Sequence, residues 1–194
     1  MSTETKTLET TANSRWRTNN NRLGLWLFMI SDSFLFLGLF ASRFYLLGGT
    51  RPDLNQPLGL VVTSVLLLSS FFMNRAEISM AHGDVKAFQR STLMTIFLGL
   101  LFLVGVVGVE WPNAPFRVSD SAMSSIFFTM TGYHALHVLT GLIFLAIVFR
   151  NSRKGIYSTE KHFPVEAAAV YWHFVDVVWV FFYPSLYLMG VVLR

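Results

Sequence analysis

The stretch MSSIFFTMTGYHALHVLTGLIFLAIVF, residues Met123–Phe149, decides the fold. It carries no Asp, Glu, Lys or Arg, and Arg150 closes it. A bilayer core of roughly 30 Å needs about 20 apolar residues in a helix, and this run exceeds that. Working outward, four further stretches qualify or nearly qualify: Leu23–Leu47, Leu58–Asn74, Thr92–Val109 and Ala167–Leu193. The second continues as a polar helix through Glu77 and Met80, since nothing breaks it before Gly83. The intervening segments carry turn residues: Gly48-Gly49 with Pro52, His82-Gly83-Asp84, Trp111-Pro112 with Pro115, and Pro164. The reading is an all-α integral membrane bundle of five transmembrane helices over residues 23–194, without an internal repeat or second domain.

Composition agrees. Hydrophobic residues make up 53% and charged residues 13% of the 194, against roughly 25% charged in a soluble domain. So few charges could not cover a water-exposed surface, whereas lipid tails solvate Leu and Phe directly. The net charge of +4 and the absence of a long basic run give no reason to expect nucleic acid. Without Cys there is no disulfide framework or thiolate metal site, and redox compartment cannot be read from cysteine. Residues 1–22 form a polar N-terminal tail rich in Thr and Asn, without the apolar core of a signal peptide. The expectation for it is a disordered tail or a strap on a partner's surface.

Cations orient the bundle. Lys6, Arg15, Arg17 and Arg22 precede the first span. Arg75, Lys86 and Arg90 lie between the second and third, and Arg150, Arg153, Lys154 and Lys161 between the fourth and fifth. That places 11 of 15 cations on one side, against Arg43, Arg51, Arg117 and Arg194 on the other. The positive-inside rule then puts the N-terminus in the cytoplasm, or the matrix, and the C-terminus outside.

An ionisable group in a spanning helix costs at least about 2.5–3.5 kcal/mol on insertion scales, so each needs a reason. The candidates are Asp32 in the first span, His134 and His137 in the fourth, and His173 and Asp176 in the fifth; Glu110 and Glu166 stand near helix ends. His134 and His137 share a face, as do His173 and Asp176, with Glu166 two turns before His173 on nearly the same stripe. At about 1.5 Å per residue, Asp32, His173 and Asp176 lie roughly 10–15 Å from the inner surface. His137 is a little deeper and His134 is near the midplane. These depths suggest a shared buried polar network. Other readings compete with it: haem ligation by His from the last two spans, a carboxylate-bridged di-metal site, and a proton relay through Asp32. The di-metal reading lacks the Glu-x-x-His pairs such bundles use. Gly99, Gly105, Gly108, Gly132, Thr140 and Gly141 allow close helix packing. Trp111, Trp172, Trp179, Tyr183 and Tyr187 read as interface anchors or lipid-facing bulk.

Residue strings go further. Tyr171-Trp172-His173-Phe174-Val175-Asp176-Val177-Val178-Trp179 resembles the signature of subunit III of the haem–copper cytochrome oxidases. Phe127-Phe128-Thr129-Met130-Thr131-Gly132-Tyr133-His134-Ala135-Leu136-His137-Val138 resembles that family's preceding helix, with Ala135 where the family usually has Gly. Pro115-Phe116-Arg117-Val118-Ser119-Asp120 resembles the loop before it, and Glu166 matches the glutamate that opens the last helix. Ile30-Ser31-Asp32 aligns with a segment that carries a buried, carbodiimide-reactive Glu in the family; Asp is one methylene shorter.

The resemblance covers about residues 22–190 and implies the short, five-helix bacterial form. The longer form has two further helices first; here another chain, such as subunit I with extra helices, or lipid is expected in their place. The resemblance implies a supporting subunit of a proton-pumping terminal oxidase, within aerobic respiration in the bacterial inner membrane. It implies no redox centre in this chain, haems and copper in the partner subunits I and II, and structural phospholipid bound here. The implied roles are protection of the catalytic subunit, help with proton uptake and guidance of oxygen. Cytochrome c or quinol as donor, a nitric oxide reductase as the parent complex, a haem-carrying membrane cytochrome and respiratory supercomplex membership all stay open on sequence.

Overall fold

The computed structural model describes residues 3–192, with side chains from 18 to 191. The chain forms two compact units, Met1–Leu35 and Phe36–Arg194. Five helices are long and apolar enough to cross a membrane: Thr18–Leu47, Gln56–Ala81, Val85–Asn113, Ala122–Arg153 and Phe163–Leu188.

Most of α1 (Thr3–Leu47) makes up the first unit. Its backbone is helical from Thr3, across the polar residues 3–22. The change at residue 22 is one of composition, not of secondary structure, and the division into units falls at Leu35. Thr, Asn and Arg lower helix propensity only by tenths of a kcal/mol per residue, and no Pro or Gly interrupts the segment before Gly24.

The second unit starts at Phe36 and packs the end of α1 with α2 (Gln56–Ala81), α3 (Val85–Leu103), the single turn α4 (Trp111–Asn113), α5 (Ala122–Arg153) and α6 (Phe163–Tyr183). Local chemistry sets the boundaries. The Asn55 side chain accepts the Leu58 N–H at 3.0 Å to start α2, and Asp84 accepts from Ala87 at 2.9 Å to start α3. Between them Gly83 turns the chain at φ +80°, so α2 and α3 form a tight hairpin. Ser121 and Ser124 build a reciprocal capping box at the start of α5. The second span reaches Ala81, as its expected polar extension required.

Two π-helical segments modify the expected spans. One runs Val104–Glu110 and joins α3 to α4; the other runs Pro184–Leu188 after α6. Each has a proline at one end: Pro112 follows the first segment and Pro184 opens the second, and neither has an N–H to bond four residues back. The ladder widens in both segments, with Trp111 N–H donating to Val106 O and Met189 N–H to Pro184 O. Trp111-Pro112 therefore extends a helix instead of ending it. The fifth span stops at Leu188 rather than Leu193. Beyond it β2 (Val191–Val192) pairs in parallel with β1 (Thr50–Arg51), a small addition to an otherwise all-α fold. Gly190, at φ +110°, brings its Cα against Gly49 O, where a Cβ would stand 2.6 Å away. Arg194 and Leu193 lie outside the described residues.

Large apolar side chains such as Leu60, Phe71, Leu93, Ile143 and Phe181 are more than half exposed, the pattern of surfaces that lipid solvates. The buried core lies between α2, α3, α5 and α6.

A polar seam through the apolar bundle as the candidate functional site

The seam begins on α2. Ser69, Ser70 and Thr63 face α6, which presents Trp172, His173, Asp176 and Trp179. The Trp172 indole N–H donates to Ser69 Oγ at 3.0 Å, and Ser69 in turn donates to Leu66 O at 2.6 Å. Trp179 repeats the arrangement two turns on, donating to Thr63 Oγ1 at 3.0 Å, with Thr63 donating to Gly59 O at 2.7 Å. Both indoles are fully buried. They are therefore core residues, not the interface anchors or lipid-facing bulk expected. A Trp can enter a low-dielectric core once its N–H has an acceptor, and the short hydroxyls of α2 supply one.

Gly99 on α3 and Gly141 on α5 make room for Trp172. A Cβ on Gly99 would lie 2.6 Å from Trp172 Cη2, and one on Gly141 3.0 Å from Cε3. Gly105 similarly lets Val62 of α2 approach. Gly108, expected to do the same, meets nothing beyond Val104 of its own helix, and Thr140 is exposed.

The structure separates the sequence candidates. His173 Nδ1 and Ser70 Oγ are 2.8 Å apart. Ser70 also neighbours Asp176, but neither Asp176 oxygen meets hydrogen-bond geometry with any described residue. His137 Nδ1 bonds to Tyr133 O of its own helix at 2.8 Å. His134 is fully buried among Trp179, Phe102 and Phe182, its ring centroid 4.7, 5.6 and 6.4 Å from theirs. Its nitrogens have no hydrogen-bond partner among the described residues. Glu166 pairs with His162 one turn back at 3.4 Å. Asp32 belongs to the first unit, on α1. The network within the second unit thus runs from α6 to α2 through Ser70, a residue that the sequence reading did not single out. A Ser-Ser pair inside an apolar span was its one visible signal.

Two further features were missed. Arg43, fully buried, spends its guanidinium on main-chain carbonyls. Nε donates to Ser185 O at 2.8 Å, Nη1 to Gly48 O at 3.3 Å, and Nη2 to Thr50 O at 2.8 Å and Met189 O at 3.1 Å. Glu110 and Tyr187 meet in a short hydrogen bond, the phenol donating to Oε1. Among the described residues no group of three or more His, Asp or Glu is placed to hold a metal.

An apolar groove of about 520 Å³ opens along the first π segment, between Leu103, Val104 and Val107 on one side and Gly132, Ala135 and Leu136 of α5 on the other.

These features define a polytopic helical membrane protein whose buried polar groups lock its own helices together. A family model described as Cytochrome c oxidase subunit III matches residues 5–191. The cytochrome c oxidase subunit 3 of Rhinoceros unicornis is 40% identical, and those of Gadus morhua and Salmo salar are 38% identical. Each alignment covers 87% of this chain and 69% of the relative. The chain belongs to the cytochrome c oxidase subunit III family, and is a multi-pass membrane subunit of an oxidase complex.

Proposed function

We propose that the chain is the non-redox supporting subunit of a proton-pumping haem–copper terminal oxidase, stabilising a catalytic subunit that holds the haems and copper. The family match over residues 5–191 carries this reading. Subunit I is the main partner, with subunit II nearby. The groove at the first π segment suits an acyl chain of a structural phospholipid, because its lining offers hydrocarbon and almost no polar surface. The polar groups Asp32, His134, His137, Glu166, His173 and Asp176 serve packing and subunit contact, and Asp32, the candidate for a proton-linked role, is read as a structural element. Residues 23–194 form the functional bundle, in a bacterial inner membrane.

Turnover lifetime tests this. Oxidase stripped of the chain should start at the rate of the complete enzyme and inactivate several-fold sooner under sustained turnover. Asp32→Asn keeps shape and hydrogen-bonding capacity, so assembly and lifetime should stay near wild type. A clear loss of pumping in fully assembled Asp32→Asn oxidase would show Asp32 to be a proton-path residue. Equal lifetimes with and without the chain would refute the supporting role.

The cation split supports an orientation with the N-terminus in the cytoplasm. In this Cys-free chain, a cysteine at position 154 should resist a membrane-impermeant thiol reagent applied to the periplasmic face of intact cells. Labelling there would reverse the topology.

A further inference from the structure

Glu110 is 4% exposed, near the end of the third span. Its Oε1 accepts the Tyr187 phenol, while Oε2 has no partner among the described residues. Both residues lie in π-helical segments, Val104–Glu110 and Pro184–Leu188. Such segments make up well under 1% of residues in proteins and gather at functional sites. An extra residue per turn rotates the side chains beyond it around the helix axis, and here two such turns face each other. Gly59 removes the remaining obstacle, since a Cβ there would lie 2.6 Å from Tyr187 Cε1. Gln56 Nε2 holds Tyr187 O at 3.1 Å.

Glu110 also lines a recess of about 220 Å³ at the cation-poor end of the bundle, with Leu54, Asn55, Leu58, Asn113 and Pro115 around it. Asn55 Oδ1 caps α2, and Asn113 Nδ2 donates to Val109 O at 2.7 Å, leaving its carbonyl oxygen available. Among the described residues no cation bonds Glu110 Oε2. Arg43 is spent on four carbonyls, and Arg51 Nε donates to Gly190 O at 3.2 Å. A buried carboxylate is stabilised by a donor or counter-charge, and the recess gives one a route to Glu110.

We propose that this recess receives a lysine side chain of a neighbouring subunit, whose ammonium group binds Glu110 Oε2. The reading rests on the chain being one subunit of an oxidase assembly. The stereochemistry selects lysine over arginine. Tyr187 occupies one carboxylate oxygen, so the site offers a single acceptor to a point charge and not the paired acceptors that a guanidinium fork matches. The aliphatic rim from Leu54, Leu58 and Pro115 suits the methylene stem of lysine. The recess can hold one such side chain but not a folded segment.

The test uses the assembled oxidase, purified in detergent. Treatment with a zero-length carbodiimide should join Glu110 to a lysine of another subunit through an amide, with loss of water. The product appears as a heavier band whose cross-linked peptide contains Glu110, and it should vanish in Glu110→Gln. Native mass spectrometry gives the second readout. Glu110→Gln complexes should lose this chain at milder activation, with about tenfold less of it retained where wild type is half dissociated, in line with removing one partner of a desolvated charge pair. Tyr187→Phe should retain the cross-link, because Oε2 keeps its charge. Linkage of Glu110 to an amine-bearing lipid, a Glu110 adduct joined to nothing, or wild-type retention in Glu110→Gln would each overturn the proposal. A chain that purifies without any partner would instead refute the assembly reading itself.

Discussion

Arg43→Met should release the end of the bundle where the chain folds back on itself. The substitution keeps the length and apolar bulk of the side chain but removes every donor. Four carbonyls, those of Gly48, Thr50, Ser185 and Met189, lose their shared partner. They belong to the segment after α1, to the second π segment and to the residue that follows it, so one guanidinium ties together the stretches leading to β1 and β2. Hydrogen bonds to a charged group contribute about 1.5–3 kcal/mol each. Water can reach some of the released carbonyls, so the net cost expected is about 3–5 kcal/mol. That is a large share of the roughly 5–15 kcal/mol of a typical domain. Lysine at position 43 keeps the charge but not the planar fork, and should recover only part of the loss. Two measurements check this. Thermal unfolding in detergent should fall by several degrees for Arg43→Met and less for Arg43→Lys. Amide hydrogen exchange at Val191, whose N–H donates to Gly49 O at 2.8 Å, should be much faster in Arg43→Met than in wild type. An unchanged melting temperature with slow exchange would show that the carbonyls are held by other means.

Arg43 also marks where sequence reading stops. The five spans were legible because hydrocarbon imposes a length and a composition, and both are visible in one dimension. So were the hairpin at Gly83 and the polar continuation of α2, since capping and turn chemistry is local. The family was legible from strings such as Tyr171–Trp179, where residue order carries more than composition does. What could not be read was which side chains meet across helices. Asp32, His134, His137, His173 and Asp176 were grouped by depth, yet two residues at the same depth can face opposite ways around their helices. His137 turns to its own backbone, and His173 meets Ser70, a residue too ordinary to single out. The tryptophans were assigned to interfaces because statistics place them there. Two hydroxyls on α2 reverse that, and no pattern along α6 announces them. The π segments escaped for a related reason: Pro112 was read as punctuation after the third span and the fifth span was drawn straight through Pro184, since a proline's missing N–H does not announce a widened turn. Arg43 read as one of four cations on the sparse side, although its hydrogen-bond partners are all carbonyl oxygens.

The Trp172 cradle gives the other large effect, and its geometry predicts coupling as well as loss. Trp172→Ala empties a fully buried site between Gly99, Gly141 and Ser69. Such truncations cost about 3–5 kcal/mol, and Ser69 additionally loses a donor. Trp172→Phe keeps much of the ring but drops the N–H, so its hydrogen-bond term should be about 1 kcal/mol. Gly99→Ala acts from the opposite direction. The new Cβ would stand 2.6 Å from Cη2 and 3.0 Å from Cζ2 of Trp172, and 2.9 Å from Leu142 Cδ2. Leu142 can rotate away, but the indole is pinned by its bond to Ser69 and by Gly141 behind it. Overpacking of this kind costs about 1–3 kcal/mol. The atoms that clash belong to the benzo ring of the indole, which phenylalanine lacks. Gly99→Ala should therefore be nearly neutral in a Trp172→Phe background, and the double variant should be more stable than the sum of the single losses predicts. A coupling of about 1 kcal/mol or more is expected for residues in direct contact. Thermal unfolding of the four proteins in one detergent measures it. Strict additivity would mean that α3 shifts away from α6 to admit the methyl group, and that Trp172 does not set their separation.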